Sequence, residues 1–278
     1  MLAAHRVIAC SVAQIMVVAI GCGGAGVAGG TPPSSAGGGA YPTSPFPSSS
    51  ASPGARVVHW NGKLAAGKTM EVRTVMGTVR AVAATDDIAA IDATVSPTAN
   101  GDSNTSMRVR EDDHGVLLRT ERDDDDRCGD HGQHVQPVDV VVRVPAGVRL
   151  VVHTVDARID ADGLKGTAVL HTVDGTIDAR GLSSVEAGTV DGSIHVAFAQ
   201  PDLAEDTVVS TVNGTVDVTL PPTENAELAA STINGLIRVD MPPSGVESSH
   251  RLRLTLGHGG RSLRLRTVNG AIHVKRAS

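Results

Sequence analysis

The loop sequence RTERDDDDRCGDHGQHVQ concentrates side chains that bind metals. Cys128, His131 and His134 follow a C-x-x-H-x-x-H spacing that begins one residue after four consecutive aspartates. Thiolate and imidazole groups at this spacing can converge on a transition metal. A solvated hairpin tip explains the same residues without a metal, because adjacent carboxylates repel one another and nothing fixes a ligand geometry. We favour the hairpin tip and expect no cofactor, and the three residues remain the candidate ligands for a metal.

A second candidate site lies in a short unit that recurs along the chain, for example as HTVDGTIDA from His171 and STVNGTVDV from Ser210. Six copies place Thr at 154, 172, 189, 211, 232 and 267, and an outlying copy, RTVMGTVRA, begins at Arg73. The predicted turn column consists of Asp156, Asp174, Asp191, Asn213, Asn234 and Asn269, with Gly175, Gly192, Gly214, Gly235 and Gly270. Stacked carboxylates could attract Ca²⁺ or Mg²⁺. Turn geometry explains the same residue choice without an ion, and we favour it.

Catalytic chemistry is the third possibility. The repeat places Asp160, Asp178 and Asp217 at one equivalent position, as carboxylates stand in β-helix enzymes that act on polysaccharides. Short coils leave little room for a deep cleft, however, and Trp60 and Phe198 are the only aromatic residues outside the N-terminal segment. Histidines recur before Thr and after the second β-branched residue, without a nucleophile at fixed spacing. We therefore predict that the protein is not an enzyme.

The repeated unit is built from strand-forming residues around a turn. β-Branched residues, which favour strands, flank an Asp-Gly or Asn-Gly pair in which Gly adopts positive φ without steric cost. Each unit is either a β-hairpin or one coil of a β-solenoid whose equivalent residues stack about 4.8 Å apart. The unit stays constant while the spacers vary, which favours stacking. We predict an all-β fold, a β-solenoid of short coils with an irregular β N-terminal cap.

The remaining sequence divides the chain. Residues 153–278 are the predicted repeat solenoid, and residues 55–152 are predicted N-terminal strands or cap with an acidic loop at 119–137. EDDHG and PAG are predicted turns, and HRLRLTLGHGGRSLRLRTV supplies an extra strand pair in which Arg alternates with Leu.

The N-terminal segment predicts export and anchoring. Residues 1–21 have the charge and apolar stretch of a signal peptide, and Ala19-Ile20-Gly21-Cys22 matches a lipobox, which makes Cys22 the lipidation residue. Residues 22–54, rich in Gly, Ser and Pro, form a flexible tether. The net charge of −6 argues against nucleic acid as a partner. We expect a lipid-anchored protein at the outer membrane or cell surface, with secretion as the alternative, and contact with the membrane through the lipid only.

The stretch VDVVVRVPAGVRLVVHTVDARIDADGL followed by T-[VI]-[DN]-G-x-[IV] units resembles a bacterial domain-of-unknown-function family named "putative adhesin". The resemblance implies a cell-envelope β-solenoid without established catalysis. Ala157 and Met76 depart from the pattern, since Gly and Asp or Asn are expected there.

Together these features predict a non-catalytic structural or adhesive interaction module of the cell envelope, whose partner is an envelope protein or glycan of unknown identity. Two alternatives stay open. One is a self-assembling, bactofilin-like scaffold, which an open edge at the C-terminal coil, residues 271–274, would favour. The other is the polysaccharide-active enzyme.

Overall fold

The structure, a computed structural model, describes residues 56–95, 105–122, 136–240 and 246–277. Within these ranges the chain forms strands and no helix, so the predicted all-β class is confirmed. The strands are β1 (Arg56–Lys63), β2 (Thr69–Arg73), β3 (Met76–Ala83), β4 (Ile88–Val95), β5 (Thr105–Asp112), β6 (Gly115–Arg122), β7 (Val138–Val144), β8 (Arg149–His153), β9 (Asp156–Asp162), β10 (Ala168–His171), β11 (Ile177–Leu182), β12 (Val185–Gly188), β13 (Ile194–Phe198), β14 (Thr207–Ser210), β15 (Val216–Leu220), β16 (Ala226–Ser231), β17 (Ile237–Asp240), β18 (Val246–Ser248), β19 (Arg251–Leu256), β20 (Arg261–Arg266) and β21 (Ile272–Arg276).

The described strands form two sheets, and in the repeat region the chain passes alternately from one sheet to the other. The first sheet has the order β1-β4-β7-β3-β9-β11-β13-β15-β21-β17-β18, and the second has the order β19-β16-β20-β14-β12-β10-β8-β2-β6-β5. From β7 to β17 in the first sheet and from β16 to β6 in the second, all neighbours are parallel. Successive turns of the chain therefore stack in register, and the β-solenoid is confirmed.

The hairpin alternative is wrong. The two strands that flank Asp174-Gly175 are β10 and β11, and they belong to different sheets. β10 pairs with β8 and β12, while β11 pairs with β9 and β13. The Asx-Gly pair thus turns a corner from one sheet to the other, and the hydrogen bonds run between coils.

Register alignment explains why each unit ends its turn with Val or Ile. The first of these residues on each strand of the first sheet stacks on its counterpart in the next coil. All members of this column are 0% exposed. They are Val79, Ile159, Ile177, Ile194, Val216, Ile272 and Ile237. Burying such branched side chains, each stabilising the fold by roughly 1.5–3 kcal/mol, builds a core that is almost entirely aliphatic, with Phe198 as its one aromatic member among the described residues.

The coils do not stack in sequence order at either end of the solenoid. The last strands in the chain, β20 and β21, insert between β14 and β16 and between β15 and β17. At the opposite end, β2 lies between β6 and β8, and β3 lies between β7 and β9. The final copy of the repeat therefore lies between the two copies that precede it in the chain, and the copy at Thr232 lies further out.

Antiparallel strands occupy both ends of the described solenoid. β1 pairs with β4 and β5 pairs with β6 at one end, and β18 pairs with β17 and β19 with β16 at the other. The C-terminal coil does not have the open edge that would favour the scaffold alternative, because β21 has neighbours on both sides. The outer strands carry exposed charges such as Arg108 and Arg253, which discourage edge-to-edge association.

The predicted turns and the extra strands are present in the described chain. EDDHG joins β5 to β6, and PAG is a corner from β7 in the first sheet to β8 in the second. The extra strand pair is β19 and β20, but the two do not pair with each other, because β16 lies between them. Among the described residues we find no helical segment that could span a membrane.

Candidate interaction surfaces

The corner where each repeat passes from the second sheet to the first, here called the repeat corner, has Thr inside and an aliphatic residue outside. Thr154, Thr172 and their five equivalents are 4–7% exposed. The residue after each Thr projects outward, and the exposed fraction reaches 47% at Val155 and 62% at Ile233. These outward residues form the aliphatic ridge: Val75, Val155, Val173, Val190, Val212, Val268 and Ile233. A polar side chain is thus buried while an apolar one meets solvent.

Buried hydroxyls at the repeat corner join neighbouring coils. Oγ1 of Thr211 donates to the carbonyl oxygen of Gly192 at 3.0 Å, and Thr267 donates to that of Gly214 at 3.1 Å. Each hydroxyl thereby finds a partner, as a buried polar group requires. Thr154 has no such partner among the described residues, and its coil lies next to the one in which Met76 replaces the expected Asx. The buried Thr of the repeat therefore links neighbouring coils through a side-chain hydrogen bond.

Glycine is required at this corner by the close approach of the next coil. A Cβ at Gly192 would lie 1.9 Å from the carbonyl oxygen of Gly175, and the φ of Gly192 is +153°. Ala157, which occupies the same position one coil earlier than Gly175, avoids the conflict because its coil is extended there. Its strand β9 begins at Asp156, whereas the equivalent strand β11 begins only at Ile177, and no described residue other than glycine has positive φ.

The predicted turn residues stand in one column beside the ridge, here called the Asx column. Its order in space is Asp156, Asp174, Asp191, Asn213, Asn269 and Asn234, so Asn269 precedes Asn234. The amide of Asn213 donates to Asp191 at 2.7 Å, Asn269 donates to Asn213 at 2.7 Å, and Asn234 donates to Asn269 at 2.8 Å. Half of the column is therefore a chain of amide hydrogen bonds that ends on a carboxylate.

The outer face of the first sheet carries the carboxylates of the enzyme alternative. Asp160 and Asp178 are register neighbours, and Arg158 bridges them with Nε 3.0 Å from Asp160 and Nη2 2.6 Å from Asp178. Asp217 lies two strands beyond Asp178, between His195 and His273, whose Nδ1 atoms are 3.0 and 3.2 Å from its oxygens. Each of the three carboxylates therefore has a basic side chain in contact, Arg158 for Asp160 and Asp178, and the two histidines for Asp217.

The outer face of the second sheet has the opposite character. One row of register neighbours, here called the basic stripe, crosses the whole sheet without a carboxylate. It consists of Arg108, Arg119, Arg73, His153, His171, Gly188, Ser210, Arg266, Ser231 and Arg251. The rings of His153 and His171 are stacked with centroids 5.6 Å apart. Desolvation lowers the pKa of His153, and the neighbouring His171 lowers it further.

The predicted metal ligands Cys128, His131 and His134 lie outside the described residues, as does the predicted lipidation residue Cys22. Within the described ranges, no three His, Cys, Asp or Glu side chains gather so that they could hold a metal ion.

The aliphatic ridge is not evident from the repeat motif, because a Val after Thr also fits an ordinary strand. The alternation that begins in β8 carries the signal: Val152 is buried, His153 exposed, Thr154 buried and Val155 exposed. If the two-residue alternation of the strand is continued through the turn, it places Thr on the buried side and Val on the exposed side. The neighbouring arginines on β19 and β20 were visible in sequence, but their grouping across β16 was not.

These features define a β-solenoid of two parallel sheets with uninterrupted side-chain columns on its corner and faces. The sequence matches the Toastrack family, a domain of unknown function (DUF4097), over residues 68–275, and the protein belongs to that family.

The solved structures that are similar to this chain include two bacterial proteins. A "putative cell adhesion protein" from Clostridium sporogenes is 11% identical, with a TM-score of 0.47 and coverage of 80% of this chain and 100% of that one. A "putative adhesin" from Bacteroides fragilis is 12% identical, with a TM-score of 0.31 and coverage of 80% and 97%. No curated protein sequence matches the chain.

Proposed function

We propose that the protein is a non-catalytic adhesive module of the cell envelope that binds an envelope protein or glycan through its repeat corner. The observation that carries this proposal is the aliphatic ridge. Four of its seven members, Val75, Val155, Val212 and Ile233, are more than a third exposed. Contiguous exposed apolar side chains rimmed by polar groups are typical of interaction sites, and here the Asx column supplies the polar rim.

Binding rather than catalysis is supported by the state of the acidic groups. Asp160 and Asp217 lie on the outer face of the sheet, Asp178 is 7% exposed beside them, and all three are held by Arg158 or by flanking histidines. A depression of about 570 Å³ lies elsewhere, at the loops around Lys63, Asp87 and Lys165. There Lys63 and Asp87 form an ion pair of 3.1 Å with each other, and the three aspartates do not line it.

The anchoring part of the proposal concerns Cys22, which follows a lipobox-like sequence. Metabolic labelling with a palmitate analogue should mark the wild-type chain and leave Cys22→Ala unlabelled. Cys10→Ala is the matched control, since Cys10 also follows a short match to the lipobox pattern. Unchanged labelling of Cys22→Ala would refute the anchor without touching the adhesive role.

The adhesive role is tested with the full chain carrying Cys22→Ala, which removes the proposed lipid as a source of membrane binding. Saturable binding to washed envelopes should be lost when Val155, Val212 and Ile233 are all changed to serine. The control changes Val57, Ile88 and Val141 to serine, since these are similarly exposed, at 38%, 43% and 39%, but lie away from the ridge. Equal binding by both triple variants would overturn the proposal.

A further inference from the structure

The second sheet ends in a group of four exposed arginines, here called the arginine tetrad. Arg251 and Arg253 lie on β19, and Arg264 and Arg266 lie on β20. All four are exposed and alternate with Leu252, Leu254, Leu263 and Leu265, which are buried or pack against the core. The register of the strands, rather than the sequence, brings the four together.

Strand β16 separates the two arginine pairs and gives them a floor of small side chains. Arg253 and Arg264 are both register partners of Ala229, and Arg251 and Arg266 are both register partners of Ser231. The flanking strands are two inter-strand spacings apart, about 9.6 Å. Each pair of guanidinium groups can therefore approach one group bound over the floor, one from either side.

The arginine tetrad has no ion-pair partner among the described residues. The described arginines that do form ion pairs on this face lie at the other end, where Arg119 contacts Glu121 at 3.2 Å and Arg73 contacts Glu71 at 2.5 Å. The nearest carboxylate on β16, Glu227, instead accepts a hydrogen bond from Thr255 at 3.1 Å. A chain of net charge −6 thus keeps four uncompensated guanidinium groups on one patch.

We propose that the arginine tetrad binds a linear phosphodiester polymer of the envelope, laid along β16 with one phosphate over Ala229 and the next over Ser231. The two non-bridging oxygens of a phosphodiester diverge, so each can accept from the guanidinium on its own side of the floor. A planar carboxylate presents one edge, which suits a single arginine. The two phosphate positions are about 6.8 Å apart along the strand, which is the scale of a polyol phosphate repeat.

Nucleic acid is a poorer match to this surface, although it is also a phosphodiester. Proteins that hold single strands add aromatic side chains on which bases stack. In the described chain the aromatic residues are Trp60, on β1 of the other sheet, and Phe198, which is 5% exposed. The patch can therefore bind phosphate groups, but it has no aromatic side chain on which a base could stack. This site is separate from the repeat corner and stands without the adhesive proposal.

The test measures binding of a synthetic polyglycerol phosphate to the full chain by fluorescence anisotropy, with polygalacturonate and single-stranded DNA of equal charge as competitors. The double variant Arg251→Gln with Arg266→Gln should weaken binding at least tenfold. It should also reduce the slope of log K against log salt concentration by about one for each arginine removed. The matched control is Arg108→Gln with Arg119→Gln, which removes the same charge from the same stripe where Glu121 compensates it. Its affinity should stay within twofold of wild type.

Circular dichroism and the melting temperature verify that both double variants are folded. Equal losses in the two variants would mean that general charge attracts the polymer, and would overturn the site. Stronger competition by polygalacturonate or DNA than by unlabelled polyglycerol phosphate would overturn the ligand class. Envelope binding that persists in the tetrad variant while polymer binding is lost leaves the repeat-corner proposal standing, so the two proposals fail separately.

Discussion

Glu224 is a buried carboxyl group without a hydrogen-bond partner for either oxygen in the described structure. It lies at the corner before β16 and is 6% exposed. Desolvation, together with the nearby charge of Asp202, raises its pKa from 4.5 to about 7. The folded protein therefore holds a proton on Glu224 at pH values where the unfolded chain has lost it.

The sign and size of the effect on stability follow from this pKa. Stabilisation is complete below pH 4.5 and is lost as the pH rises through about 7, because the unfolded chain ionises first. At 1.36 kcal/mol per pKa unit, the loss between pH 5 and pH 8 is about 2–3 kcal/mol. Glu224→Gln removes the ionisation and should make the protein more stable at pH 8 by this amount, with little effect at pH 5.

Thermal unfolding followed by circular dichroism measures the difference. A gain of about 2–3 kcal/mol corresponds to a rise in melting temperature of roughly 4–12 °C for a domain of this size. Glu205→Gln is the control, because Glu205 is exposed on the neighbouring loop. Equal melting temperatures of wild type and Glu224→Gln at pH 8 would refute the burial argument, and so would a gain of the same size at pH 5.

Three further predictions concern the stacked columns. Gly192→Ala should destabilise the fold more than Gly163→Ala, since a Cβ at Gly192 would lie 1.9 Å from a backbone oxygen, whereas Gly163 has open space around it and Ala there should cost only the roughly 1–2 kcal/mol of a left-handed backbone; chemical denaturation compares them. Ile177→Ala, at 0% exposure, should cost about 2–5 kcal/mol, and Val155→Ala, at 47% exposure, less than about 0.5 kcal/mol; similar losses would contradict the assigned burial. NMR titration should give His153 a pKa below 6.5, mainly because of desolvation and then because of His171. Because the folded protein therefore disfavours the protonated ring, the neutral ring's contribution to stability should decline as the pH falls below 6.5. In His171→Asn the pKa of His153 should rise, because the neighbouring ring that lowers it is gone. An unchanged pKa would contradict an effect of His171 on His153.

The local rules of this fold were accessible from sequence. The repeat of Thr, Asx, Gly and Ile predicted stacking, because each member meets its own kind in the next coil: Ile177 lies against Ile159 and Ile194. Even the departure at Ala157 was visible as a missing turn glycine, and the structure answers it with extended backbone.

What escaped prediction depends on contacts between distant segments. The unit at Thr267 is as good a copy as the unit at Thr232, so nothing local says which of the two lies further out. That choice is made by β18 and β19, which pair antiparallel with β17 and β16 and thereby hold them at the end. The arginine tetrad follows from the same long-range pairing.

The insertion of β20 and β21 has a consequence for biosynthesis. The ribosome delivers the N-terminal part of a chain first, so β16 and β17 emerge while the places beside β14 and β15 are still vacant. If β16 and β17 paired with β14 and β15, they would occupy the positions that β20 and β21 hold in the native structure. The nascent chain cannot simply wind up coil after coil in the order of its synthesis, and native topology is completed only when the last coil enters between two earlier ones.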